Sequence, residues 1–300
     1  MYKILTEASG SMTAAYLIKA VQSAGCLAVA SDIDENCAGR FLADDFLVMP
    51  AVHDPQLWEK ITKALLAAHI NVVIPSLDET LLAWAQQKER FRELGIYVML
   101  SEPDTVRRFQ DKWLAYNFFR EIGVPTPATG LEQKYPLVKP RHGRGSQGIK
   151  ITDNPIDMDG MISQELIEGE EYTVDVFCDR DAAPVYIIPR RRIAVKEGKS
   201  TGGQTVYNKE IIMWIRKICR EIPFLGPVNF QCFVCADGSV RFIEINPRIA
   251  GGMALGFAAS ENWVKLMIHH FIQGEAIIPK PVQYGLEMRR YYAEVFIPSS

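Results

Sequence analysis

Across the first hundred residues, short apolar runs alternate with stretches in which apolar positions return every three or four residues. The runs at 3–6, 26–31, 46–49, 72–75 and 97–100 predict strands, and the periodic stretches at 12–24, 57–68 and 80–94 predict helices. In the 57–68 stretch, Leu57, Ile61, Ala64, Leu65 and Ala68 make one apolar stripe, while Glu59, Lys60 and Lys63 stay on the wet side. Asp54-Pro55 is expected to start that helix, with Asp as its N-cap and Pro in its first turn. Strands alternating with helices imply βαβ units and a parallel sheet covered on both faces, a Rossmann-like α/β arrangement.

Near Ser101 the pattern changes. Ser101-Glu102-Pro103-Asp104 is expected to cap a short helix, and 110–122 predicts a second, which carries Lys112 and ends at Gly123 and Pro125. Beyond it the period becomes two, at 136–140, 148–152, 161–166, 171–178 and 185–189 and through a hairpin at 228–246. Helices are expected at 209–221 and 262–273, so this part reads as an α+β domain. No internal repeat or low-complexity stretch is visible, and the tail after Pro279 is expected to be a short packed extension.

Composition narrows the class. With 300 residues, 48% of them hydrophobic, the chain has enough apolar material for a substantial core and about two domains. A net charge of −3 argues against a protein that binds nucleic acid through its whole surface, without excluding a local anion site. No apolar stretch approaches the roughly 18 residues a membrane span needs, and the start lacks the basic-then-apolar run of a secretory signal. Six cysteines scattered through a chain of this size favour reduced thiols and a cytoplasmic location. Cys232 and Cys235 lie three apart in a strand-like run, facing opposite sides, so they read as packed thiols and not as a metal or redox pair.

Three stretches carry candidate chemistry. The first runs from Pro136 to Ile151 and holds Lys139 followed by Gly143, Arg144, Gly145, Ser146 and Gly148. Its GxGxxG spacing is followed by a strand-like run, whereas a dinucleotide fingerprint needs a helix there. A glycine-rich loop between strands can instead close over phosphates with its backbone N–H groups, helped by Lys139 and Arg144, or it is a plain solvated hairpin loop. The second stretch is the 228–246 hairpin, whose Asp237-Gly238 is a strong turn signal. A tip at that dipeptide places Gln231 opposite Glu244 and Asn229 opposite Asn246, all on one face. A carboxylate among amides is a hard oxygen site that suits Mg²⁺ bridging nucleotide phosphates, and Arg248 follows where it can hold a phosphoryl oxygen. The third stretch, 163–176, contains Gln164, Glu165, Leu166 and Glu171 around an acidic bend; on composition alone it is a solvated turn.

Two further features stay open. The basic run that begins with Arg190, Arg191 and Arg192 and extends to Lys199 is either an anion-binding segment near the site or a solvated loop. Asp32 ends the second strand where a cofactor ribose can sit, but the preceding turn, Ala8-Ser9-Gly10-Ser11, has one glycine where a dinucleotide site wants three.

Asp111-Lys112, the Lys139 loop, the Glu170-Glu171-Tyr172-Thr173-Val174-Asp175-Val176 run and Glu244-Ile245-Asn246-Pro247-Arg248 occur in an order that resembles the ATP-grasp superfamily over nearly the whole chain. The likeness is to the group that includes the carbamoyl-phosphate synthase large subunit, biotin carboxylase-like and D-alanine ligase-like enzymes. The resemblance implies a Rossmann-like domain over 1–108 preceding an ATP-grasp domain over 109–300, with a mobile glycine-loop lid at about 123–165. It implies that Lys112, Lys139 and the loop from Gly143 to Gly148 contact the ATP phosphates, that Gln164 and Leu166 meet adenine with Glu165 in the same ATP site, and that Glu171 meets the ribose. Gln231, Glu244 and Asn246 then hold Mg²⁺ (or Mn²⁺), Arg248 faces an acyl phosphate, and Arg190, Arg192, Gly251 and Gly252 approach the substrate. The implied activity is an ADP-forming ligation of a small-molecule carboxylate to an amine, or less readily a thiol, with a homodimer as the default assembly. A non-catalytic nucleotide sensor of the same fold is the alternative, and an NAD-dependent dehydrogenase using 1–108 is a third. Gln231 departs from the pattern, since many members use an acid there, which leaves the number of metal ions open.

Overall fold

Five short parallel strands, β1 (Lys3–Thr6), β2 (Leu27–Asp32), β3 (Asp45–Val48), β4 (Val72–Ile74) and β5 (Tyr97–Val98), form a sheet in the order β3-β2-β1-β4-β5. They are connected through α1 (Ala14–Ser23), α2 (Leu57–Ala67) and α3 (Asp78–Glu93), the alternation the apolar pattern predicts. The computed structural model describes residues 1–11, 14–143, 147–196, 199–291 and 293–297. Ile4, Leu5, Ala28, Val29 and Val73 are fully buried in the middle of the sheet, as both-sided coverage of a parallel sheet requires. Trp58, Trp84 and Phe91 pack edge-on and tilted beside it, with Trp58 and Trp84 centroids 4.9 Å apart. The start of α2 differs from expectation. Asp54 lies outside the helix, its carboxylate accepting from the Gln56 N–H (2.8 Å) and from Lys60 Nζ (2.6 Å), because the Asp54 carbonyl and the Leu57 N–H close a turn first.

Packing divides the chain into two units, Met1–Leu100 with Asn262–Ala276 and Arg289–Ser300, and Ser101–Glu261 with Ile277–Met288. The expected 262–273 helix appears as α8 (Trp263–Leu266, numbered in chain order after the helices below) continued by π-helical turns over Met267–Ile272. It belongs to the first unit because Asn262 Nδ2 donates to the Ala20 carbonyl (2.7 Å), while Trp263, Val264 and Met267 are buried. Periodicity reveals that such a helix is amphipathic but not which core receives it.

The second unit opens with the two expected helices, α4 (Pro103–Gln110) and α5 (Lys112–Glu121), the second starting after the Asp111 cap and not at residue 110. Strands β6 (Thr129–Gly130), β7 (Leu137–Pro140), β8 (Lys150–Ile151) and β9 (Met161–Gln164) make a small antiparallel sheet in the order β6-β9-β7-β8. The large sheet contains β10 (Glu170–Cys178), β11 (Pro184–Lys196), β12 (Lys199–Thr205), β13 (Gly226–Val234), β14 (Val240–Asn246) and β15 (Glu287–Arg289), in the order β14-β13-β10-β11-β12-β15. The basic run is therefore the end of a strand and the start of its hairpin partner, not a loop. The tail after Pro279 supplies the edge strand β15.

One face of the large sheet is apolar. Val174, Val176, Phe230, Cys232, Phe242 and Ile245 pack there with Phe109, Phe118 and Phe119 and with Ile211, Ile215 and Ile218 of α6 (Lys209–Glu221). Alternation sends the neighbouring residues of the same strands to the opposite face, where α7 (Ala254–Ala259) also lies against β12. Among the described residues no helix is long and apolar enough to cross a membrane.

Candidate active site

The polar face of the large sheet is set by strand register. Asp175 pairs with Asn229, Thr173 with both Gln231 and Arg190, Asn229 with Asn246, and Gln231 with Glu244. The last two pairs are those the hairpin pattern predicts, although the tip is not. The turn spans three residues, with the Cys235 N–H bonded to the Ser239 carbonyl (2.9 Å) and Gly238 at φ +83°. This shifts the near-tip pairs by one, and a bulge at Ile243 restores the register before Gln231 and Glu244.

Lys139 reaches this neighbourhood from β7. It is 6% exposed, and its Nζ donates to Gln164 Oε1 (2.9 Å), whose Nε2 donates to Thr129 Oγ1 (2.9 Å). Burial lowers the Lys139 pKa to about 8; Glu244 and Glu171 pull it up, and Lys112 pushes it down. The same lysine is thus in electrostatic reach of the Glu244 pair, of Glu171 and of Lys112. Lys112, in the first turn of α5, donates from Nζ to the Gly143 carbonyl (2.9 Å).

The root of the glycine loop is braced by two residues to which the sequence assigned no separate role. Asp111 caps α5 by accepting from the Trp113 N–H (2.8 Å), and the Arg141 guanidinium grips both oxygens of the same carboxylate. Burial opposes ionisation of Asp111, but the bonds from Arg141 and Trp113 outweigh it and hold the carboxyl below its ordinary range. The N-cap preference of Asp before a helical stretch was the available signal. Gly148 has φ +72°, and a Cβ there would lie 2.9 Å from Pro140 Cγ, so the loop's return demands glycine. Gly143 is also left-handed, at φ +113°. Arg144, Gly145 and Ser146 lie outside the described residues.

Other expected contacts are used within the chain. Gln164 has both ends of its amide engaged, as above. Glu165 accepts from the Ala128 N–H (3.1 Å) and from Arg241 Nη1 (3.1 Å to each oxygen), tying the small sheet to β14, while the Leu166 side chain is exposed. Glu171 is ion-paired with Arg192. Arg190 is buried against Asp175, and Asn229 donates to that same acid (3.0 Å), so neither joins Glu244. Arg191 points the other way, to Gln204 (3.1 Å). Arg248 Nη1 donates to the Ile249 carbonyl (3.1 Å), and its Nη2 lies 3.4 Å from Asn246 Oδ1. Gly252 sits against Arg190.

Among the described residues no three His, Cys, Asp or Glu side chains cluster as a metal site. One carboxylate opposite one amide, with a second amide beside it, is too few protein ligands for a closed cage. It fits an ion such as Mg²⁺, which keeps its waters and completes its shell with phosphate oxygens. The dinucleotide alternative fails locally. Asp32 Oδ2 accepts the Gly10 N–H (2.7 Å), so the acid that would meet a ribose is committed to closing the first turn.

Comparisons with known proteins bear on the family and the fold. Residues 157–293 match a family described as "ATP-grasp in the biosynthetic pathway with Ter operon", and residues 5–99 match "PylC-like, N-terminal domain". The 3-methyl-D-ornithine–L-lysine ligase of Methanosarcina barkeri is 28% identical over 269 residues, covering 87% of this chain and 70% of that protein. A carbamoyl-phosphate synthase of Methanobrevibacter smithii is 25% identical over 177 residues, covering 52% of this chain and 47% of its own length, so this chain spans about half of that relative. Among solved structures, biotin carboxylase of Campylobacter jejuni superimposes with a TM-score of 0.75 at 15% identity, over 95% of this chain and 74% of that one.

Proposed function

Given that this chain is a member of the ATP-grasp superfamily, we propose that it is an ADP-forming ligase that activates a carboxylate as an acyl phosphate and transfers it to an amine. The observation that carries this reading is the convergence on Lys139. A buried ammonium on the small sheet feels Glu244 and Glu171 from the large sheet and Lys112 from the loop's root. An isolated lysine gains nothing from such burial, whereas a triphosphate entering between these groups offsets the desolvation.

In this reading Lys112 and Lys139 bind the phosphates, and residues 123–165 form the lid, with the loop from Gly143 to Gly148 at its tip. Leu166 offers an apolar contact to adenine at the end of the Gln164-Glu165 strand, and Glu171 exchanges Arg192 for the ribose hydroxyls. Gln231, Glu244 and Asn246 would hold Mg²⁺, which would supply charge that neutralises the phosphates. A substrate carboxylate oxygen then attacks the γ-phosphorus, the bond to the ADP oxygen breaks, and ADP leaves. The amine nitrogen attacks the acyl carbon, phosphate departs with the bonding pair, and the nitrogen loses a proton. No protein nucleophile is needed; alignment and charge neutralisation by the lysines and Arg248 do the work, and a closed loop keeps water from the acyl phosphate. The name of the Methanosarcina relative joins two amino acids, which supports amino acids as the first substrates to try.

The test is ADP release with MgATP and pooled amino acids and small carboxylates. Release that requires the pool, and that disappears in Glu244→Ala, supports the ligase. MgATP binding with no stimulation by any carboxylate or amine pool favours a sensor.

A further inference from the structure

A fully buried ion pair lies under the segment that follows Arg248, and the proposed chemistry does not use it. Arg190 is 1% exposed and Asp175 0%. Arg190 Nε and Nη2 donate to the two oxygens of Asp175 (2.5 and 2.8 Å), and Asn229 Nδ2 donates to one of them (3.0 Å). Arg190 Nη1 is buried with no hydrogen-bond partner among the described residues. Buried ion pairs seldom stabilise a fold more than apolar residues of similar volume, and an unpaired buried N–H is unfavourable. Stability alone does not account for this pair in an otherwise well-packed unit.

Its contacts suggest what does. A Cβ on Gly252 would lie 2.8 Å from Arg190 Nη2 and 2.9 Å from Nη1, and a Cβ on Gly256 would lie 2.7 Å from Asp175 Oδ2. Neither glycine has a left-handed φ, so close approach, not backbone freedom, is what requires glycine there. The segment therefore rests on the ion pair at two points, one glycine over each partner, so close that a Cβ at either would displace the pair. Arg248 stands at the near end of this segment. Asn229, the third member of the network, is paired in register with Asn246, two residues before Arg248.

We propose that the Arg190–Asp175 pair is the seat that fixes the Gly251–Gly252 loop and with it Arg248, making Arg190 a positioning residue for acyl transfer and not a ligand of nucleotide or substrate. The proposal rests on the ligase reading for its functional half and on packing alone for its structural half. The planar fork of arginine is essential to it, because lysine keeps the charge but offers no flat surface for Gly252 to lie on.

The experiment compares the full-length chain with Arg190→Lys, Gly252→Ala and the double variant. Hydrogen exchange is followed over residues 247–259 and over β13 and β14, and MgATP affinity is measured by titration. In Arg190→Lys, exchange over 247–259 is expected to rise about tenfold while β13 and β14 stay as in the parent chain. MgATP affinity should hold within about twofold, and kcat with the substrate found in the pool screen should fall about tenfold or more at unchanged KM for ATP. Gly252→Ala, a loop substitution that keeps both charged residues but cannot rest on them, should reproduce the pattern, and the double variant should be less impaired than the two effects combined, since a lysine yields to the added methyl group. Unchanged exchange over 247–259 in both single variants overturns the proposal, and so does a loss of MgATP affinity that matches the loss of kcat. Failure of the parent chain to bind MgATP would instead overturn the ligase reading while leaving the exchange result to stand.

Discussion

The turn after β1 and the loop after β7 both put glycine close to a strand end, and they have opposite fates. In the first, the Ser9, Gly10 and Ser11 amides donate to the Ser31 carbonyl (3.0 Å), Asp32 Oδ2 (2.7 Å) and the Ala8 carbonyl (3.0 Å). Among the described residues, these three amides of the turn are already spent on the chain itself. In the second, Lys112 and Lys139 stand at the root with no direct carboxylate partner among the described residues, bonded to a carbonyl and to an amide oxygen. On the proposed reading, the anion site is made by what the fold leaves unneutralised, and a count of glycines does not reveal it.

Breaking the second site should have the largest effect. Glu244→Gln removes the only carboxylate of the Gln231, Glu244 and Asn246 set, and pool-dependent ADP release should fall by roughly 10²–10³-fold, as losses of preorganised charge in phosphoryl transfer do. A coupled ADP assay reads it. Lys139→Met should weaken MgATP binding by about 10–100-fold, the loss expected for a charge-assisted hydrogen bond. The same variant should leave thermal stability equal or higher, because it removes a buried charge whose desolvation nothing in the ligand-free chain fully offsets. Opposite signs in titration and melting would sharpen the contrast between function and fold.

A smaller effect follows from pH. Lys139 has a pKa of about 8, below the ordinary lysine value of 10.5, so it is charged below pH 8 and neutral above it. MgATP affinity should fall several-fold between pH 7 and 9, and binding near pH 8 should take up a fraction of a proton, measurable in buffers of different ionisation enthalpy. For stability the sign is the reverse. Between pH 8 and 10.5 the unfolded chain binds the proton that the folded chain has lost, so this lysine's contribution to stability rises with pH across that window. Neither trend should survive in Lys139→Met. The smallest effect belongs to the first turn: Asp32→Ala should cost about 1 kcal/mol of stability and change MgATP affinity less than twofold.

Much of the site was legible because its residues are tied by local register. Gln231 opposite Glu244 follows from a turn signal and period-two alternation, and it held even though the turn is one residue longer, since the Ile243 bulge took up the difference. The parallel pairing of the first sheet, though not its strand order, followed equally from alternation of period. What could not be read depends on burial and on distant partners. Lys139 in Leu137-Val138-Lys139-Pro140 looks like an edge lysine until β8 and β9 are seen to flank its strand. Arg190 and Arg191 read as one basic run, yet a strand sends them to opposite faces, one to Asp175 and the other to Gln204. Lys199–Thr205, with two glycines and no apolar residue, forms β12 only because β11 offers it a ladder.

The account stands on formation of an acyl phosphate before the amine is used. The most direct measurement is positional isotope exchange in ATP labelled with ¹⁸O at the β,γ-bridge, run with the carboxylate pool and no added amine acceptor. Carboxylate-dependent scrambling of the label into the non-bridging β-positions, absent in Glu244→Gln, is the predicted result. Pool-dependent ADP release from a chain that never scrambles the label, even with product release blocked by added ADP, would contradict it.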